Sequence, residues 1–225
     1  MSRKNAAETK RTARTERRRE QTRAEILDAT REVILRDGVQ GFAIASVAKE
    51  LGLTKPALYY YFDSKEALMF EFLLGEWVEA AHEVQDAVAQ TKGGADAIEA
   101  LMRTLFNRYR EQLNLFMFCY RMVPTGDLSV LVGPEELERV RPVNDMLYKG
   151  AETRLRADQK AGQFSKKRNP RRFAFCAHTS VVGVLNMMAM VSASSDPLIH
   201  KDEDLIDDIC RTYRDTIERQ GAQQC

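Results

Sequence analysis

Three consecutive tyrosines, Tyr59, Tyr60 and Tyr61, stand between two lysines, Lys55 and Lys65. Ammonium and phenol groups donate hydrogen bonds to phosphate oxygens, and a lysine also reaches the acceptors on a guanine edge. Successive helical residues point about 100° apart, so three adjacent tyrosines cannot all face a core. The spacing favours exposed phenols that meet phosphate groups; the alternative is that the rings cover a neighbouring helix.

Residues 1–20 form a basic segment with almost no large apolar side chains. Its cationic residues are Arg3, Lys4, Lys10, Arg11, Arg14, Arg17, Arg18 and Arg19. Such a segment cannot offset its ordering entropy by burial, which predicts a flexible arm. The arm is either a solubilising tail or a segment that becomes ordered on a phosphate backbone.

The formal net charge of +1 at pH 7 hides an uneven distribution along the chain. Residues 1–65 hold 14 Lys and Arg against 9 Asp and Glu, a net of +5. The remaining residues hold 20 against 24, a net of −4. This division indicates an anionic partner for the first part of the chain.

The elements that must position these residues are short helices. A first helix runs from about Gln21 to a stop at Asp37 and Gly38, and a second spans 46–51 before a turn at Gly52. Thr54 caps a third helix whose first turn accepts Pro56, and a capping box of Asp63 and Glu66 opens a long fourth helix. Two short helices separated by a glycine turn are typical of a helix-turn-helix, with 55–61 as its recognition helix.

The rest of the chain is predicted to be helical, so the fold class is all-α. We place a helix-turn-helix domain at 21–67, after the arm at 1–20, and a larger helical domain at 68–225. Residues 173–195 carry no formal charge and are long enough to span a bilayer. His178 and Asn186 at membrane depth and the missing aromatic belt favour a soluble helix buried on two faces.

Catalytic and metal-binding patterns are absent from the sequence. Its histidines are far apart, at His82, His178 and His200, and there is no HExxH, GxSxG or glycine-rich phosphate loop. The spacing of His200 and Asp204 fits a solvated helix start rather than a metal site, and His178 fits an interface histidine with satisfied hydrogen bonds. We predict neither an enzyme nor a bound metal or cofactor.

The cysteines show neither metal-site spacing nor the density of a disulfide scaffold: Cys119, Cys176, Cys210 and Cys225. The basic N-terminus lacks the apolar run of a signal peptide. These features predict a reduced, cytoplasmic protein.

The stretch 38–68 resembles the DNA-binding domain of TetR/AcrR-family transcriptional regulators. The resemblance rests on Val47-Ala48, Leu51-Gly52-Leu53, Leu58-Tyr59-Tyr60-Tyr61-Phe62 and Ser64-Lys65-Glu66-Ala67-Leu68. It implies a homodimeric repressor whose C-terminal domain binds a small molecule. That larger domain has no motif of its own, so its role is implied by analogy alone.

The resemblance also implies roles for individual residues. Lys55, Pro56 and Ala57 match positions that meet base edges, and Tyr59, Tyr60 and Lys65 match phosphate contacts, with Tyr61 as a further candidate. The family usually has Thr or Ser before the second helix, where this chain has Ala43, Ile44 and Ala45. Candidate replacements for that contact are Ser46 and the basic residues Arg17, Arg18, Arg19 and Arg23.

Two further surfaces are expected in the C-terminal domain. The uncharged helix and the last helix are expected to pair with their copies across a two-fold axis, and the interface residues are Ala177, Ser180, Gly183, Val184, Ile206, Ile209 and Tyr213. An apolar effector pocket is expected among Phe106, Tyr109, Phe116, Met117, Tyr120, Met122, Met146 and Met187. Ordinary core packing is the alternative for each of these, and Cys119 is a candidate redox-responsive residue in the pocket.

The predicted function is a DNA-binding regulator, a repressor that binds a palindromic operator as a homodimer and is released by a small hydrophobic or aromatic effector. The alternative is a helix-turn-helix regulator without a small-molecule effector, controlled by a protein partner or by its expression level.

Overall fold

A computed structural model describes residues 3–121, 133–194 and 200–222. Every regular element in those residues is a helix, which confirms the predicted all-α fold. The helices are α1 Arg3–Gly41, α2 Ile44–Glu50, α3 Lys55–Tyr59, α4 Lys65–Ala89, α5 Gly94–Tyr109, α6 Leu113–Arg121, α7 Pro134–Lys160, α8 Pro170–Ser194 and α9 Asp202–Ala222. Two compact units, 1–73 and 74–225, divide inside α4, shortly after the boundary expected at residue 67.

The first unit is built around one face of α1. Ile26, Ala29, Val33 and Ile34 recur at helical spacing and are all buried. Thr30 is buried on the same face, and its hydroxyl donates to the carbonyl of Ile26 at 2.8 Å, which satisfies its polar group within the helix. This face supports α2, which supports α3 in turn.

The two ends of α1 differ in how well the sequence predicted them. Gly38 has a φ of 67°, so the helix is broken where the Asp37-Gly38 stop was expected. At the other end the expectation of a flexible arm was wrong, because α1 is already helical from Arg3. Residues 3–20 are rich in Ala, Glu, Lys and Arg, whose helix propensity is high, so the helix extends although side chains 12–20 are exposed.

The second unit has α5 and α8 at its centre. Helix α5 contacts α7, α8 and α9, and α8 contacts α5, α6, α7 and α9. The expected start of α8 is confirmed, because the Asn169 side chain accepts a hydrogen bond from the Arg172 amide at 3.0 Å and Pro170 is the first helical residue. Helix α7 runs through Pro142 without ending.

Candidate nucleic-acid interface and ligand cavity

A tight turn fixes the angle between α2 and α3. Gly52 has a φ of 63°, the left-handed conformation expected for a glycine there, and the Leu53 amide bonds the carbonyl of Ala48 at 2.9 Å. The Thr54 hydroxyl accepts a hydrogen bond from the Ala57 amide at 3.3 Å, which confirms Thr54 as the cap of α3. Leu58 is fully buried and anchors the helix to the unit.

The outer surface of α3 presents the side chains that the sequence singled out. Lys55 and Pro56 are exposed and Ala57 is half-buried. The exposed fractions of Tyr59 and Tyr60 are 37% and 69%, so two phenols point to solvent, as the helical spacing predicts. Tyr61 is half-buried, and its ring meets the edge of Tyr60 at a centroid distance of 5.2 Å.

An arginine from α1 holds the end of the recognition helix. The guanidinium of Arg23 donates to the carbonyl of Tyr61 and lies 4.2 Å from the ring centroid of Phe62. Arg19, one turn earlier, lies 5.8 Å from the ring centroid of Tyr60. Arg23 was expected to contact nucleic acid together with Arg17, Arg18 and Arg19. The structure shows a positioning contact for it, and its contact with nucleic acid stays a prediction.

The remaining predicted nucleic-acid residues fall into two groups. Arg17 and Arg18 are exposed on α1. Lys65 is half-buried at the start of α4, with its ammonium 5.4 Å from the ring centroid of Phe42. The cap of α4 is Ser64, whose hydroxyl accepts from the Ala67 amide at 2.9 Å, rather than the expected box of Asp63 and Glu66.

Helix α2 begins without a side-chain cap. Its N-cap residue is Ala43, which has extended backbone angles and no side-chain group that can accept a hydrogen bond. Ser46 is half-buried in the first turn, where its amide bonds the carbonyl of Ala43 at 3.0 Å. Ser46 therefore does not replace the missing cap.

The second unit contains an apolar cavity of about 250 Å³. Five helices contribute its wall: Trp77, Ala80, Leu105, Cys119, Tyr120, Val140, Val143, Asn144, Leu147 and His178. The described residues of this wall carry no formal charge. A small apolar space with a few polar groups is typical of a ligand pocket.

The predicted pocket residues lie mostly behind this wall. Tyr120 borders the cavity, whereas Phe106, Tyr109 and Phe116 are fully buried in the adjacent core. Their rings support Tyr120: Phe116 stacks on it at a centroid distance of 5.0 Å, and Tyr109 meets its edge at 5.7 Å.

The predicted methionines lie elsewhere. Met117 and Met146 are half-buried and not part of the described wall, Met187 is 56% exposed, and Met122 lies outside the described residues. The sequence analysis did not predict Trp77 or the α7 residues Val140, Val143 and Leu147 as part of the cavity wall. The helical spacing of these three α7 residues was the only pattern in the sequence that could have indicated them.

His178 joins two tyrosine hydroxyls at the cavity. Its Nε2 lies 3.2 Å from the hydroxyl of Tyr120 on α6, and its Nδ1 is hydrogen-bonded to the hydroxyl of Tyr148 on α7. Burial lowers the pKa of His178 to about 4, so the imidazole is neutral at pH 7. Burial also raises the pKa of both phenols, so they stay protonated. The predicted hydrogen bonds of His178 are thus satisfied by two tyrosines of its own chain.

A buried arginine near the cavity is neutralised by carboxylates. The side chain of Arg108 is 7% exposed and bonds Glu76 at 2.9 Å, Glu79 at 3.0 Å and also Glu83, all on α4. Desolvating a guanidinium is tolerated when such partners satisfy it. This cluster ties α5 to α4. Among the described residues, no group of three His, Cys, Asp or Glu is placed to hold a metal ion.

Helix α8 exposes an apolar stripe. Phe175, Met187 and Met190 are each more than half exposed, and Thr179 and Gly183 lie between them on the same face. Among the described helices, only Pro170–Val191 is long and apolar enough to cross a membrane, and a third of its apolar stretch is buried. Such a helix in isolation is weak evidence for a span.

The predicted dimer residues divide between this stripe and the protomer core. Gly183 is exposed, whereas Ala177, Val184 and Ile206 are buried within their own protomer. Ser180, Ile209 and Tyr213 are half-buried, and the hydroxyls of Ser180 and Tyr213 lie 3.0 Å apart. The exposed face of α8 is therefore offset from the predicted one.

A basic groove lies beside the stripe. It has a volume of about 540 Å³ between the start of α8 and the middle of α9. Lys167, Arg168 and Arg172 line it, together with Phe173 and Tyr213. The acidic run 202–208 precedes the groove on α9, and three of its carboxylates are paired within the chain: Glu203 with Arg110, Asp207 with Arg103, and Asp208 with Arg211.

Comparison with known proteins identifies the first unit. The family described as bacterial regulatory proteins, tetR family, matches residues 26–72. The HTH-type transcriptional regulator TtgR of Pseudomonas putida is 29% identical over 104 residues, which are 45% of this chain and 47% of TtgR. The chain thus spans about half the length of the curated relatives it matches.

Solved structures share the fold over most of the chain. FadR of Bacillus subtilis, solved with stearoyl-CoA, has a TM-score of 0.68 at 13% identity and covers 86% of this chain and 98% of its own. A TetR family transcription regulator from Marinobacter aquaeolei has a TM-score of 0.63 at 17% identity and covers 90% of this chain and 98% of its own. Residues 26–72 of the first unit thus match the tetR family of bacterial regulatory proteins, and the all-helical architecture of the chain is similar to that of the solved structures.

Proposed function

We propose that this protein is a DNA-binding transcription regulator, a repressor that binds a palindromic operator as a homodimer and is released by a small hydrophobic or aromatic effector. The outward surface of α3 carries the proposal. Lys55 and Tyr60 are exposed on a helix that a buried leucine, a capping threonine and Arg23 hold in place.

The groups on this surface have separable roles in binding DNA. Lys55 lies in the first turn of α3, where a recognition helix meets base edges, and its ammonium suits guanine acceptors. Tyr59, Tyr60 and Lys65 are placed for phosphate oxygens, which fix position without reading sequence.

A homodimer is supported by the exposed face of α8. A contiguous exposed apolar stripe on a soluble protein marks an interaction surface, and a palindromic site requires two recognition helices about 34 Å apart. Pairing of α8 and α9 with their copies in a second chain supplies the second recognition helix.

The cavity supports an effector. A ligand that binds better to the arrangement with wrongly spaced recognition helices lowers operator affinity by the ratio of its affinities for the two arrangements. No catalytic role is proposed for the cavity, whose described polar groups are a neutral histidine, one protonated phenol, an amide, an indole N–H and a thiol.

The first experiment selects bound duplexes from a random pool, with and without a metabolite extract. A palindromic site that is lost when extract is added supports both halves of the proposal. A palindromic site that is indifferent to extract favours control by a protein partner or by expression level, and enrichment of no sequence contradicts specific DNA binding.

The second experiment separates base reading from phosphate binding. Lys65→Ala is expected to weaken binding to every duplex alike and to lower the slope of log K against log salt by about one. Lys55→Ala is expected to change the preferred bases, at about 1–3 kcal/mol for the selected site. Lys92→Ala, an exposed change in the second unit, is the control. If both variants lose the same DNA affinity, and lose it for every duplex regardless of sequence, the assigned roles are contradicted.

A further inference from the structure

We propose that the effector is an uncharged molecule of about ten non-hydrogen atoms that carries a carbonyl oxygen, and that the Tyr120 hydroxyl donates a hydrogen bond to that oxygen. This inference rests on the proposed effector site and names its ligand class. It follows from the charges around the cavity, from the hydrogen bonds of His178 and from the cavity's size.

The charges around the cavity disfavour an ionic ligand. No described residue of its wall is charged. Two arginines among the described side chains near the cavity are already paired: Arg108 binds three glutamates, and Arg171 binds Asp145 at 2.6 Å and lies over the ring of Tyr148. The described wall therefore offers a carboxylate or phosphate no charged partner, and desolvating such a ligand costs several kcal/mol. A neutral ligand avoids that cost.

The hydrogen bonds of His178 make Tyr120 a donor toward the cavity. A neutral imidazole has one N–H and one acceptor nitrogen, so one tyrosine donates to His178 and the other accepts from it. The accepting tyrosine keeps its own O–H proton for another partner. Within the described residues, His178 is the hydrogen-bond partner of both hydroxyls.

Burial decides which tyrosine accepts the hydrogen bond from His178 and so has its own O–H available to another partner. Tyr148 is 5% exposed and is not part of the cavity wall, so an unused O–H there would cost about 1–3 kcal/mol. The favoured arrangement has Tyr148 donating to Nδ1 and the Nε2–H of His178 donating to the oxygen of Tyr120. The O–H of Tyr120 then points to the cavity, where it binds an acceptor such as a carbonyl oxygen.

The volume sets the size of the ligand. An apolar protein cavity of about 150 Å³ holds benzene, which has six carbons. In proportion, 250 Å³ holds about ten non-hydrogen atoms, the size of two fused rings. A long acyl chain with its coenzyme does not fit this space, although the similar fold of Bacillus subtilis FadR was solved with stearoyl-CoA.

Three matched probes test the inference by calorimetry on the full chain: α-tetralone, its hydrocarbon tetralin, and tetralin carboxylate. We expect α-tetralone to bind about tenfold more tightly than tetralin, the effect of one buried hydrogen bond, and the carboxylate to bind more weakly than either. In Tyr120→Phe the two neutral probes are expected to bind equally. Tyr109→Phe, a buried phenol behind the wall, is the matched control and keeps the tenfold ratio.

Several results would overturn the inference: equal binding of the two neutral probes to the unaltered protein, a ratio that survives Tyr120→Phe, tightest binding of the carboxylate, or no binding of any probe. The same preparations are titrated with the selected operator duplex. Intact DNA binding together with any of these results rejects the ligand class and leaves the regulator proposal standing. Expected probe binding without DNA binding rejects the regulator proposal alone.

Discussion

His178 is a titratable side chain in a setting that favours its neutral form. Its two nitrogens face the hydroxyls of Tyr120 and Tyr148, neither of which carries a charge, and Arg171 lies beside Tyr148. Protonation would place a cation between two phenols beside a guanidinium. The stability of the second unit is therefore linked to pH through this residue.

We predict that His178 makes the protein less stable as the pH falls from about 6.5 to about 4. The folded-state pKa is lowered, so the unfolded chain binds a proton in this window that the folded chain does not, and stability is lost toward acid. The loss amounts to roughly 2–3 kcal/mol at pH 4, and His178 contributes no pH dependence above about pH 7. Urea unfolding of the unaltered protein and of His178→Gln at pH 7.5, 5 and 4 measures the difference.

The exposed His82 provides the control for this prediction. Carboxylates also titrate in acid, but they do so in every variant, so the comparison isolates one histidine. His82→Gln is expected to retain the pH dependence that His178→Gln loses. If the free energy of unfolding depends on pH in the same way for all three proteins, protonation of His178 is not linked to folding.

Residue roles were predictable where they depend on neighbours in sequence. The outward direction of Tyr60 and the cap at Thr54 follow from spacing and residue type within one turn. The partners of Arg23 and His178 could not be predicted from the sequence because they lie 38 and 30 residues away, and no local pattern encodes such pairs. Most of the residues predicted for the pocket lie outside the wall of the cavity for the same reason: large apolar residues predict burial, but not which side of a cavity they occupy.

Helix α2 begins without a side-chain cap, as the alanine at position 43 in the sequence indicates. Ala43 has φ −139° and ψ 141°, the extended conformation of an N-cap residue, but has no side-chain oxygen to accept from the amides of the first turn. Its neighbour α3 has a capping threonine. Of the two helices of the helix-turn-helix, only α3 therefore has its first turn stabilised by a side-chain cap.

We predict that Ala43→Ser stabilises the protein by about 1 kcal/mol in urea unfolding, because a serine hydroxyl accepts a hydrogen bond from the first turn of α2. The same hydroxyl is also placed to donate to a phosphate, so DNA affinity should rise. Ala45→Ser is the matched control: Ala45 is exposed inside the first turn, where a hydroxyl does not cap the helix. An equal gain from both serines would contradict the capping explanation.

Element boundaries were predicted well where a capping residue marks them. The starts of α3 and α8 and the break in α1 carry Thr54, Asn169 and Gly38, each of which has one strongly preferred backbone role. The segment 3–20 was mispredicted because its composition fits both a solvated coil and a solvated helix. Burial, the usual guide, gives no signal for side chains that are exposed in either state.

The exposed face of α8 in the second unit is suited to self-association. Lys167, Arg168 and Arg172 line the groove at the start of α8. Residues 173–195 carry no formal charge, and this part of α8 exposes the apolar stripe. A two-fold partner on this face would bury the stripe against its copy, so hydrophobic contact favours self-association there.

We predict that Met187→Asp converts a dimer into a monomer. Met187 is 56% exposed on the apolar stripe, and an aspartate there would be buried in the dimer without a cation in the uncharged centre of the face. Leu137→Asp is the matched control, because Leu137 is 46% exposed on α7, away from the stripe.

Light scattering at micromolar concentration should give the mass of one chain for Met187→Asp and of two chains for the unaltered protein and for Leu137→Asp. The monomer should also bind the palindromic site far more weakly while still binding a half-site, because linkage between two recognition helices is lost and each helix is intact. A variant that keeps the mass of two chains would place the dimer contact on another face. An unaltered protein with the mass of one chain would remove the homodimer from the proposal.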